Sequence, residues 1–99
     1  MDRWFTARWH LDFLIAEHPN EVKFLARRAE ASIHLRDWSR AAADYTKAIE
    51  GAPGELKWWL RRRMVRLQAR DFDGYRRDCA VLLDRFAPTA DLSLANYLA

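Results

Sequence analysis

The chain has 99 residues, of which 51% are hydrophobic and 13% aromatic, so it can bury the core of one small domain and is not disordered by composition. Three glycines and three prolines are too few for a loop-rich or all-β chain. The formal net charge of +3 is below the concentrated basic surface typical of a dedicated DNA-binding domain.

Hydrophobic periodicity predicts an all-α chain. Apolar residues recur at helical spacing. Two short segments interrupt this pattern, each made of an arginine, an aspartate and an aromatic residue: "RDW" at 36–38 and "RDF" at 70–72. Gly51 and Pro53 supply helix stop signals, and Pro88 ends the fifth segment. The predicted helical segments are, in chain order, 2–19, 21–35, 39–50, 55–69, 72–86 and 90–99.

The chain also matches itself at an offset of 34 residues. Arg36-Asp37-Trp38 falls on Arg70-Asp71-Phe72, and Pro19 falls on Pro53. Such self-similarity is the sequence pattern of a repeat protein built from stacked supersecondary units. Further pairs at this offset are Ala7 with Ala41, Ile15 with Ile49, Lys23 with Lys57, and Arg27-Arg28 with Arg61-Arg62.

A 34-residue helix–turn–helix period resembles the tetratricopeptide repeat (TPR) family. Family positions are matched by Leu25 and Trp59, Ala29, Trp38 and Phe72, Ala41, Tyr45, Ala48 and Leu82, and Pro53. The resemblance implies one domain, 1–99, folded as a right-handed α-solenoid of antiparallel helix pairs. Its units would be a half-repeat at 2–19, repeats at 22–55 and 56–89, and a half-repeat at 90–99.

Two further points follow from this resemblance. The segment "GYRRDCAVLLDRF" is loosely similar to TPR segments of bacterial multidomain signalling proteins such as serine/threonine kinases. Arg63 falls on the small-residue site that Ala29 occupies in the other unit. We expect its side chain either to pass Trp59 and reach a carboxylate such as Asp78, or to splay the helix pair.

The family holds partner peptides in the concave groove of its array, so the resemblance implies a non-catalytic protein-interaction scaffold. The pairs Lys23/Arg27 and Lys57/Arg61 resemble the cationic part of the carboxylate clamp of chaperone-binding members, with Glu30 and Met64 where the clamp has asparagines. An acidic or C-terminal peptide is the expected partner. The implied groove residues are Lys23, Arg27, Glu30, His34, Lys57, Leu60, Arg61, Met64 and Gln68.

Two other functions stay open at this point. Self-association is one, through terminal apolar faces that the half-repeats leave uncovered, made of Trp4, Phe5, Trp9, Phe13, Leu92, Leu94, Tyr97 and Leu98. Nucleic-acid binding is the weaker alternative, suggested by the tryptophans and arginines of "KWWLRRRMVR".

The sequence has no pattern typical of catalysis or of a bound cofactor or metal. His10, His18 and His34 lack metal-ligand spacing, and the glycines stand singly at turns rather than in a phosphate-binding loop. The single cysteine, Cys79, excludes an internal disulfide. With no apolar run near the length of a membrane span and no secretory segment, a cytoplasmic protein is expected.

Overall fold

The structure, a computed structural model, describes residues 3–86. They form five α-helices and a closing π-helical turn, and no strand occurs in this range. The elements are α1 Arg3–Glu17, α2 Val22–His34, α3 Trp38–Gly51, α4 Leu56–Gln68, α5 Phe72–Val81 and the π turn Leu82–Phe86. The all-α prediction is confirmed for the described residues, and none of their helices is long and apolar enough to cross a membrane. The sixth predicted segment, 90–99, lies outside them.

Each helix packs against the next one along the chain. One buried cluster contains Ala29, Ala41, Tyr45 and Val65, from α2, α3 and α4. A second contains Ile49, Trp59 and Leu82, from α3, α4 and the π turn. The core is therefore a series of contacts between successive helices, each cluster joining three of them.

The two tryptophans of α4 make different contacts with these clusters. Trp59 is 8% exposed, and its indole Nε1 donates a hydrogen bond to the carbonyl oxygen of Pro53 at 3.0 Å. Trp58 stacks on Tyr45 of α3, with ring centroids 6.2 Å apart and planes 25° apart. Both rings therefore pack between helices, and for Trp59 this agrees with the family position that it was predicted to occupy.

The turn after α2 ends that helix with a left-handed residue. Arg36 has φ of 57°, which costs a non-glycine residue about 1–2 kcal/mol. The turn is held by two backbone bonds, from the amide of Arg36 to the carbonyl of Ile33 at 3.0 Å and from the amide of Asp37 to that of Ser32 at 2.8 Å. This is a Schellman arrangement. The same bonds recur 34 residues later around Arg70, whose φ is 62°.

The aspartate that follows each of these turns starts the next helix. Asp37 accepts a hydrogen bond from the amide of Arg40, and Asp71 accepts one from the amide of Gly74 at 3.0 Å. Such caps satisfy a backbone donor that the first helical turn leaves unpaired. At Gly74 a Cβ would lie 2.3 Å from Asp71 Oδ2, so the missing side chain makes room for the cap.

The fifth predicted helix differs from expectation near its end. Residues 72–86 were expected to form one continuous helix, whereas α5 ends at Val81 and widens into the π turn. Leu82 remains fully buried there. Leu83 is 57% exposed, although Ile49, its counterpart 34 residues earlier, is 6% exposed. In the wider turn Leu83 thus points away from the core, while Phe86 at its end packs against Trp59.

Arg63 does not reach Asp78, contrary to one of the two expectations for it. The side chain is 2% exposed, and its guanidinium carbon lies 5.6 Å from the centre of the Tyr75 ring. Its Nε has no hydrogen-bond partner. In the preceding unit the same two positions are Ala29 and Ala41, which pack together in the core. A small–small contact has become a cation–aromatic contact.

Candidate functional site

A partly buried arginine, Arg28 of α2, joins three successive helices by bonding to aspartates of α1 and α3. Arg28 Nε and Nη2 donate to both carboxylate oxygens of Asp44, at 2.9 and 2.8 Å. Its Nη1 donates to Asp12 on α1 at 3.0 Å. The Asp44 bond raises the pKa of the Arg28 guanidinium, so the side chain remains charged.

The next unit repeats this geometry atom for atom. Arg62 Nε and Nη2 donate to Asp78 at 3.2 and 2.7 Å, and Nη1 donates to Thr46 Oγ1 at 3.1 Å. Asp44 and Asp78 are 3% and 1% exposed. We call these two sets, Arg28 with Asp12 and Asp44 and Arg62 with Thr46 and Asp78, the arginine ladder. Its members recur at an offset of 34 and are structural.

Other arginines at helix contacts are also paired. Arg66 Nη1 donates to Asp78 Oδ1 at 2.9 Å and to the carbonyl oxygen of Gly74 at 3.3 Å. Arg8 of α1 reaches Asp37 at 3.0 Å. In "KWWLRRRMVR", Arg61 is thus the arginine that remains exposed, since Arg62 and Arg63 are buried and Arg66 is partly so.

A second group of cations lies on a different face and behaves differently. Lys23, Arg27, Lys57 and Arg61 are all exposed, and among residues 3–86 none forms an ion pair. Lys57 Nζ lies 4.8 Å from the centre of the Trp58 ring. Lys23 Nζ lies 5.5 Å from that of Phe24, its neighbour in sequence. These cations rest on aromatic rings and keep their charge available.

Two clefts open among these cations. The larger, which we call the apolar cleft, has a volume of about 610 Å³ and is lined by Ile33, Trp38, Tyr45, Lys57, Leu60, Arg61, Met64, Val65 and Gln68. The other, the entrance cleft, has a volume of about 470 Å³ and is lined by Glu21, Val22, Lys23, Ala26, Arg27, Ala52, Glu55, Lys57 and Trp58. Lys57 borders both clefts, so they adjoin one another between α2 and α4.

The structure brings together seven of the nine predicted groove residues. Five line the apolar cleft and three line the entrance cleft, with Lys57 shared. Glu30 and His34 line neither cleft. The His34 ring stacks on Trp4 of α1, with centroids 3.8 Å apart and parallel planes.

Tyr45 is one of the residues that line the apolar cleft. The side chain is fully buried, and its hydroxyl has no hydrogen-bond partner. Burial raises the pKa of the Tyr45 phenol, and the nearby Arg61 cation opposes this change. The Arg61 guanidinium therefore lies beside the Tyr45 phenol in the lining of the apolar cleft.

Sequence reasoning missed part of the cleft. Trp38 and Tyr45 were predicted only as aromatic positions of the family, and neither Trp58 nor Val65 was assigned to the groove. They do pack, but their cleft-facing atoms also form its wall and floor. The sequence did contain a signal for this wall: Trp38 and Tyr45 of α3 lie two turns apart and therefore on one helix face.

The predicted self-association residues divide into two groups in α1. Phe5, Trp9 and Phe13 are 52%, 57% and 58% exposed, and their spacing of four residues places them on one face. Trp9 and Phe13 contact edge to face at 4.9 Å. Trp4 is half-buried and stacks within the chain. Leu92, Leu94, Tyr97 and Leu98 lie outside the described residues.

Comparison with known proteins gives no assignment. No protein-family model, curated protein or solved structure matches this chain.

Proposed function

We propose that the chain is a TPR-like array of antiparallel helix pairs whose concave face, formed by α2 and α4, binds an acidic segment of a partner protein. Support for the array comes from contacts that recur at an offset of 34: the arginine ladder, the left-handed residues Arg36 and Arg70, and the aspartate caps. Connections of three or four residues between helices favour antiparallel neighbours. The proposed protein has no chemistry of its own and acts in the cytoplasm.

The observation that carries the binding proposal is the division of the cations into two classes. Arg8, Arg28, Arg62 and Arg66 at helix contacts are paired with aspartates, and the buried Arg63 lies against the Tyr75 ring. Lys57 and Arg61 instead border an apolar cleft whose lining contains no carboxylate. The entrance cleft has mixed charge, since Lys23 and Arg27 share its lining with Glu21 and Glu55. A cleft with one sign of charge and apolar walls concentrates oppositely charged ligands and speeds their association.

Charge reversal tests the proposal. The double variant Lys57→Glu/Arg61→Glu removes two cations at the cleft and adds two carboxylates there. Arg76→Glu/Arg77→Glu makes the same change of net charge on the exposed side of α5 and is the matched control. The probe is a fluorescein-labelled pool of nine-residue peptides, capped at both ends, with aspartate or glutamate at alternate positions and mixed residues between them.

Anisotropy titration of the pool should give at least a tenfold loss of affinity for the cleft variant, equivalent to about 1.4 kcal/mol of binding free energy. The control should lose much less, and binding to the unaltered chain should weaken as salt is added. The proposal is wrong if the pool does not bind the unaltered chain, or if both variants bind it equally.

Self-association is a second candidate because of the apolar face on α1. Three large side chains, Phe5, Trp9 and Phe13, are each more than half exposed and adjoin one another, which is unusual for a face that stays in water. Light scattering after size exclusion should then report a mass above the monomer that Trp9→Glu lowers. A monomer at every concentration would exclude this candidate.

A further inference from the structure

We propose that the apolar cleft receives one bulky apolar side chain of the partner segment, aliphatic or aromatic, while Lys57 and Arg61 bind an acidic residue next to it. This inference rests on the proposed function and names what the concave face selects. The occupant is an internal segment of a partner protein, so that neither a chain terminus nor a free carboxyl group at one is needed.

The walls of the cleft are the first reason. Leu60 and Met64 lie one turn apart on α4, and Ile33 of α2 faces the same space. Met64 is 45% exposed, although it stands in the middle of a helix whose neighbours Arg63 and Val65 are 2% and 3% exposed. Apolar surface is thus presented to solvent where the packing of α2, α3 and α4 leaves the apolar cleft.

The size and lining of the cleft are the second reason. Its volume of about 610 Å³ falls in the range of small-molecule pockets and exceeds what one aromatic side chain needs. The fully buried Tyr45 is among its lining residues. An inserted side chain would therefore exchange contact with water for contact with apolar and aromatic side chains, as interface anchors do.

The charges at the rim are the third reason. Lys57 and Arg61 lie one turn apart on α4 and thus on one side of the cleft. Trp58, which stacks on Tyr45, supports the Lys57 ammonium group from below. Since no carboxylate lines the cleft, an acidic residue beside the anchor would be the partner of both cations. The apolar side chain then supplies affinity and the acidic residue fixes orientation.

Synthetic peptides separate the two requirements. Each has nine residues, an acetylated N-terminus and an amidated C-terminus, with two aspartates or glutamates on each side of a central residue and serine or glycine elsewhere. The central residue is leucine, phenylalanine or alanine, and a fourth peptide keeps the central leucine but carries asparagine and glutamine in place of the acids. Calorimetric titration uses the whole chain.

We expect the leucine and phenylalanine peptides to bind, and the alanine peptide to bind roughly 30-fold more weakly, the loss typical of truncating an interface anchor. The uncharged leucine peptide should lose at least tenfold. Met64→Ser should weaken the leucine peptide and leave the alanine peptide unchanged. Leu83→Ser, at an exposed apolar residue of the π turn, is the matched control and should change neither.

Each of the other possible results would overturn the inference. If the leucine, phenylalanine and alanine peptides bind equally, or Met64→Ser has no effect, the anchor is excluded while acidic-segment binding stands. If none of the acidic peptides binds, the proposed function fails and the anchor fails with it. If Met64→Ser instead lowers the mass of a self-associated form, the occupant of the cleft is a second copy of the chain and the inference is overturned.

Discussion

Removing the carboxylate of Asp78 should destabilise the fold more than any change at an exposed ion pair. Asp78 is 1% exposed and accepts hydrogen bonds from Arg62 at 3.2 and 2.7 Å and from Arg66 at 2.9 Å. The two arginine side chains are only 11% and 18% exposed. In Asp78→Ala, two guanidinium groups therefore face one another across a cavity, without the anion that neutralised them and with little access to water.

The magnitude follows from this burial. Removing one partner of a buried ion pair costs about 3–5 kcal/mol, because the remaining charge is left uncompensated. A domain of this size has a free energy of unfolding of roughly 5–15 kcal/mol, so about a fifth of it or more would be lost. At about 4 °C or more per kcal/mol, the melting temperature should fall by at least about 12 °C. Asp44→Ala should cost less, because Arg28 keeps its bond to Asp12.

Urea unfolding, followed by circular dichroism and by tryptophan fluorescence, measures these differences. Asp73→Ala is the control, since Asp73 pairs with Arg76 at 2.7 Å but both side chains are more than 70% exposed. That variant should remain within about 1 kcal/mol of the unaltered chain. The reasoning is refuted if Asp78→Ala loses no more stability than Asp73→Ala, or if Asp44→Ala loses more than Asp78→Ala.

Two other predictions concern single residues of α3 and of the turns. Arg36→Gly and Arg70→Gly should each raise the free energy of unfolding by up to about 1 kcal/mol, because glycine adopts positive φ without the steric penalty; urea midpoints that fall for both would contradict this. In the unaltered chain, burial raises the pKa of Tyr45, so above pH about 10 the unfolded chain loses that proton first and stability falls as pH rises. Unfolding measured from pH 8 to 11 should show a smaller decline in Tyr45→Phe than in Tyr75→Phe, and an equal decline in the two variants would exclude the explanation.

The sequence was sufficient for the helices because their boundaries depend on local signals. The segments 21–35 and 39–50 agree with Val22–His34 and Trp38–Gly51 to within a residue at each end. The turn between them ends with Asp37, whose side chain caps the helix that follows, and such a cap is legible in the sequence. The π turn at 82–86 was missed because no breaking residue marks it, and its wider winding depends on how α5 meets α4.

The site was predictable only in part, for a reason that Arg61 and Arg62 illustrate. They are neighbours on α4 with the same side chain, yet Arg62 is bonded to Asp78, 16 residues away, and Arg61 borders the cleft. Helical geometry gives their directions but not what stands opposite. The contact of Arg63 could not be predicted from the sequence for the same reason, because its partner Tyr75 belongs to the following helix.

The arginine ladder also suggests how a further unit could be added to such a chain by duplication. Each arginine reaches forward to an aspartate of its own unit and back to the helix before it, where Asp12 in one case and Thr46 in the other accept the bond. A tandem duplication of residues 22–55 would therefore carry both the arginine and the aspartate of this ion pair. The helix before the copied unit would need to provide only one oxygen atom as a hydrogen-bond acceptor. The copied unit would thus keep an existing contact between helices and would not need a new one.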